Sequence, residues 1–154
     1  MIISLIGVIE GIALYKIIKE AKSRKQNDSI IIKKNIEVIK LLDKMLYRKQ
    51  RGHTIENYLK EHNLQTVAIY GMSYVGFRLY DELKQAGVVV KYGIDQNAER
   101  IRMQEIDILY PDEELPEVDA IIVTATFFYE EIEKKLSRQV SAKVYSLKEI
   151  LYDI

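Results

Sequence analysis

From Thr66 onward, five short runs rich in β-branched residues, TVAIYG, VVVKYGID, IDILY, AIIVTAT and AKVYSL, are separated by more polar stretches. Two of these stretches, GFRLYDELKQAG and FYEEIEKKLSRQV, repeat their apolar residues at helical spacing. Strands joined through helices cannot pair as hairpins. They lie side by side as a parallel sheet whose faces the helices cover. Right-handed crossovers then select a small doubly wound α/β fold of five strands in the order 3-2-1-4-5. A length of 154 residues, 48% hydrophobic and 30% charged, suits one such domain with helices appended in front.

The first strand runs into Gly71-Met72-Ser73-Tyr74-Val75-Gly76, which opens a helix. This is the setting of a dinucleotide fingerprint, G-x-G-x-x-G: a tight turn, a close approach to pyrophosphate, and a helix packed near its strand. Ser73 stands at the second glycine position, where its Cβ narrows the approach while its hydroxyl donates to a phosphate oxygen. Asp95 ends the second strand nineteen residues after Gly76, the spacing of an acid that accepts from ribose hydroxyls. Thr124 and Thr126 follow the fourth strand, where the ligand crevice of such a fold opens. Phe127 and Phe128 are expected in the core or along that crevice.

The run IYGMSYVGFRLYDELKQAGVVVKYGIDQN resembles the small Rossmann-like domain at the front of bacterial sugar-nucleotide acetyltransferases and of capsular nucleotide-sugar dehydratases. The resemblance covers roughly residues 66–126. It implies a domain that holds a nucleotide or nucleotide-sugar in proteins that build surface polysaccharide, and it carries over to Gly71, Ser73, Gly76 and Asp95. Neither the hexapeptide repeats of the first family nor the second, catalytic domain of the other accompanies it here.

Independent catalytic candidates are few. With no cysteine, thiolate chemistry and cysteine-ligated metals are excluded. Tyr80-x-x-x-Lys84 has the spacing of the tyrosine–lysine pair of short-chain dehydrogenases but lies on the first helix after the glycine turn, where it reads as helix surface. His53 and His62 precede the sheet and read as solvated. The acidic run PDEELPEVD (residues 111–119) lacks calcium-loop spacing and makes a poor nucleic-acid surface.

The zero net charge conceals a polarity along the chain: residues 1–52 carry 12 Lys/Arg against 5 Asp/Glu, and the remainder 11 against 18. Residues 1–22 are expected to form an apolar helix with two readings, a membrane anchor or a buried or oligomerising helix. The mainly apolar run, about eighteen residues long, lies at the short edge of the ~17–25 that span a bilayer, and Glu10 is costly there. The cations Lys16, Lys19, Lys22, Arg24 and Lys25 follow directly, and Gly7-x-x-x-Gly11 matches a close-packing motif. Residues 23–29 read as a polar linker. Residues 30–64 read as a basic amphipathic helix, with Ile32, Ile36, Ile39, Leu42 and Leu46 in one stripe, and a short connecting helix capped by Thr54.

Three functions are therefore expected in turn. The first is a non-catalytic nucleotide or nucleotide-sugar module working beside polysaccharide-synthesising enzymes, cytoplasmic, with membrane contact through residues 1–25. The second is an NAD(P)-dependent oxidoreductase or epimerase, and the third a homo-oligomeric scaffold without ligand.

Overall fold

The computed structural model describes residues 2–154, with side chains from residue 14 onward. It divides into two compact units, Met1–Ile36 and Glu37–Ile154. The first helix, α1 (Ile2–Gln50), runs through both without interruption. Residues 23–29 are thus helical, not a linker. Lys, Arg and Gln are strong helix formers, and no Gly or Pro stands among them to stop propagation. The close-packing pair Gly7 and Gly11, and the cost of Glu10, lie outside the residues with described side chains. Among the described residues, no helix is long and apolar enough to cross a membrane. In the first unit, Leu14, Tyr15, Ile17 and Ile18 are exposed.

In the second unit, α1 turns a face to the core that keeps only Leu42 of the expected stripe. Leu41 and Met45 are in the core and Val38 and Leu42 pack against it, while Ile39 and Leu46 are exposed. Ile36, the last residue of the first unit, and Ile32 within it are exposed as well. The second unit thus takes in α1 from Glu37 onward. Gly52, at φ +74°, ends the helical run. A short helix, α2 (Ile55–Glu61), follows; the Thr54 hydroxyl accepts from the Asn57 N–H at 3.4 Å, as the capping pattern implies.

The sheet contains β1 (Thr66–Tyr70), β2 (Val89–Ile94), β3 (Asp107–Leu109), β4 (Ala120–Val123) and β5 (Lys143–Ser146). All neighbours are parallel, in the order β3-β2-β1-β4-β5. This is the doubly wound arrangement that the alternation predicts. Helix α3 (Tyr74–Gln85) connects β1 to β2, and α4 (Tyr129–Leu136) connects β4 to β5. The last helix, α5 (Leu147–Asp153), follows β5 directly. A 3-10 turn at Ala98–Arg100 stands where a helix between β2 and β3 would be, and residues 110–119 cross from β3 to β4 with no helix.

Side chains alternate across the sheet, as period two demands. Val67, Ile69, Ala120 and Ile122 join a core with residues of α1, α2, α3 and α5, including Leu41, Leu59, Leu79 and Ile150. Ala68, Tyr70, Ile121 and Val123 face the other way and meet Ile132 and Leu136 of α4. β4 is buried throughout and β1 in all but Thr66, so both read as unbroken apolar runs. The order reverses between β1 and β4, and their C-terminal ends define the crevice where an open α/β sheet presents a ligand.

Candidate functional site

Gly71 leaves β1 at φ +95°, a backbone region that side chains rarely adopt. Its N–H donates to the Ile94 carbonyl at 2.8 Å, tying the turn to the end of β2. Its own carbonyl oxygen lies 2.6 Å from the Thr124 hydroxyl at the end of β4. A Cβ on Gly71 would meet that hydroxyl at 2.7 Å and the Ala125 nitrogen at 3.2 Å. Gly76, in the first turn of α3, comes so close to the turn that a Cβ there would sit 2.2 Å from the Gly71 carbonyl oxygen. The two outer fingerprint glycines thus pack on one another, and this contact seats the start of α3 against β1.

Ser73 caps α3 in extended conformation, and its hydroxyl makes no capping bond. It is exposed, beside a Tyr74 ring that is 79% exposed. Phe77 donates to the Ser73 carbonyl at 2.9 Å, so the N–H groups of Tyr74, Val75 and Gly76 precede the first bond of the helical ladder. Free N–H groups and the helix dipole together favour an anion at this end.

Asp95 stands beside the turn. Its Oδ2 accepts from the Met72 N–H and its Oδ1 from the Asn97 N–H, each at 2.9 Å. An ionised carboxylate has about four acceptor sites, so each oxygen retains one. Sequence spacing did not single out Tyr70, the last residue of β1. Its ring is buried; burial raises its hydroxyl pKa, the Gln96 side chain lowers it by hydrogen bonding, and the Asp95 carboxylate raises it again. A tyrosine immediately before the first fingerprint glycine was the available signal.

The two threonines behave differently from one another. Thr124 is buried and turned inward, with its hydroxyl also 3.1 Å from the Tyr70 carbonyl oxygen, and serves the turn. Thr126 donates to Glu37 Oε1 at 3.4 Å, and the same oxygen holds Lys148 Nζ at 3.0 Å. Thr126, Phe127 and Phe128 line a groove of about 1010 Å³ that includes none of Gly71, Ser73, Gly76 or Asp95. The structure therefore brings Gly71, Gly76, Asp95 and Thr124 together around the turn, leaves Ser73 at its mouth, and directs Thr126 to a neighbouring groove. Phe127 and Phe128 meet edge to face at 5.1 Å and are 45% and 40% exposed, so they form a wall and not core.

Elsewhere, Tyr80 is buried, and Lys84 pairs with Glu105 at 2.7 Å, a bond that raises the lysine pKa. His62 stacks on the Tyr58 ring at 4.0 Å and approaches the Tyr58 carbonyl oxygen at 2.8 Å through Nδ1. Among the described residues, no group of three acidic or histidine side chains is arranged to hold a metal. Compared with known proteins, the chain matches no family model, no curated protein and no solved structure.

Proposed function

We propose that this chain is a non-catalytic module that binds a nucleotide or nucleotide-sugar at the C-terminal ends of β1, β2 and β4, and that it works beside the enzymes of bacterial surface-polysaccharide synthesis. One observation supports it above the others: the Gly71–Gly76 contact leaves the open N-terminus of α3 next to a carboxylate that retains acceptor sites. Phosphate oxygens suit the former and ribose hydroxyls the latter. The unbonded Ser73 hydroxyl favours a ligand whose phosphates stand slightly off the turn. Membrane contact within residues 1–25 and a cytoplasmic location belong to the same proposal, with the apolar start as the support for the contact.

Thermal unfolding of the full chain with NAD, NADP, UDP-sugars and CDP-sugars tests the reading. A ligand at ~100 times its dissociation constant adds about 2.7 kcal/mol, which is roughly 5–10 °C in Tm for a chain of this size. One ligand of the panel is expected to give that shift, and Asp95→Ala to reduce it. A second reading, a scaffold with no ligand, is favoured by the internal bonds of Asp95 and Thr124, which give both residues an architectural purpose. It predicts no shift with any member of the panel. An NAD(P)-dependent enzyme would need its acid or base from elsewhere, since Lys84 is held by Glu105.

A further inference from the structure

We propose that the groove beside the ends of β4 and β5 docks residues 16–25 of a second copy of this chain. The groove, about 1010 Å³, is walled by Tyr129, Tyr145 and Tyr152 and rimmed by Glu131, Glu149 and Asp153. Small-molecule sites run to about 1,000 Å³ and bury most of their ligand. A groove at the top of that range also accommodates the side chains of a polypeptide segment. Aromatic faces next to carboxylates fit lysine and arginine side chains, which combine ion pairing with cation–π contact.

The body itself demonstrates the preference. Lys44 places its ammonium 4.6 Å from the centroid of the Tyr152 ring. Lys148, the basic residue in the groove lining, is engaged by Glu37, whereas Glu131, Glu149 and Asp153 form no ion pair among the described residues. Glu149 and Asp153 lie four residues apart on α5 and so share one side of it. Their field reaches the tyrosines beneath: burial first, then Tyr145, Asp153 and Glu149 raise the Tyr58 pKa, and burial, Glu133 and Glu149 push that of Tyr129 up to about 12.

The complementary charge is on the same chain. Lys16, Lys19, Lys22, Arg24 and Lys25 are exposed and form no ion pair among the described residues, and Glu20 is the one acid in their midst. A net charge of zero, divided into a basic first third and an acidic remainder, leaves each copy complementary to another copy. The contact joins two different surfaces, so two copies close it by exchanging segments reciprocally, and further copies extend it if they do not.

The test uses the full chain in a nonionic detergent, which masks contacts through the apolar start, with association followed by sedimentation. Self-association is expected at ~50 mM salt and at least about tenfold weaker near 0.5 M, where screening is nearly complete within a few Å. Reversing the rim (Glu149→Lys with Asp153→Lys) or the segment (Lys19→Glu with Lys22→Glu) should each weaken it by about tenfold or more, and all four together should restore it. All four positions are exposed, so far-UV circular dichroism should stay unchanged. A monomer at low salt and ~100 µM chain overturns the proposal. So does association that neither reversed pair weakens. Binding of residues 16–25 to vesicles of anionic lipid, lost in the segment variant while the rim variant leaves self-association untouched, overturns it in favour of a membrane surface.

Discussion

Gly76 leaves no space for a methyl group, because the atom in its way is a backbone oxygen that Thr124 holds from the far side. Overpacking of this kind typically costs ~1–3 kcal/mol, and a pinned carbonyl puts Gly76→Ala at about 3 kcal/mol by chemical denaturation. Gly87, at φ +77° with open space around it, should lose only the ~1–2 kcal/mol of left-handed backbone strain as Gly87→Ala. The glycine spacing was legible because both glycines stand in one short stretch of sequence, Gly71 directly after β1 and Gly76 in the first turn of α3. Thr124 was legible only as a crevice residue, since nothing near it in sequence reveals that its partner is Gly71. At the other end of β1, Asp119 Oδ2 accepts from the Thr66 N–H, the Thr66 hydroxyl and the Gln65 N–H at 2.7, 2.9 and 2.9 Å. The Thr66 N–H first, then its hydroxyl, then Gln65 hold this carboxyl below its ordinary pKa. A depressed carboxylate stabilises the fold above the ordinary value of about 4 and loses that contribution as pH falls through its folded value. Asp119→Asn should therefore flatten the fall in denaturation midpoint on acidification below about pH 4. Glu99, whose carboxyl the Tyr110 hydroxyl holds low, keeps a residual slope.

At the scale of elements, α1 shows what periodicity can and cannot decide. The stripe through Ile32, Ile36, Ile39, Leu42 and Leu46 is at good helical spacing, yet the body keeps only Leu42 of it and adds Leu41 and Met45. Both stripes are apolar, and periodicity alone does not distinguish them. Leu41→Ala is expected to cost ~2–5 kcal/mol of stability, and Ile39→Ala, at a position 65% exposed, within about 0.5 kcal/mol. Equilibrium unfolding of the two variants checks the assignment, and the reverse order of costs would refute it. Residues 23–29 are polar enough to read as a linker, yet their helix propensity decides their conformation. Helix α5 is not legible in the sequence although Leu147, Ile150 and Leu151 have helical spacing, because seven residues directly after a strand give too short a period to separate from it.

For the whole molecule, alternation and crossover handedness were enough to order the strands, since both are statements about connectivity. The groove was not legible in the same way. Tyr58, Tyr129, Tyr145 and Tyr152 line it from four separate elements, and only the sheet brings them together. The glycine turn has a related dependence. Its carbonyl is held from 53 residues away, across the strand order reversal. The βαβ segment at residues 66–95 therefore has the letters of the motif without the clasp that gives the turn its form. Grafted into another sheet, it would need a hydroxyl supplied at the same place by the host strand. The motif belongs to the assembled sheet and is portable only with its fourth strand.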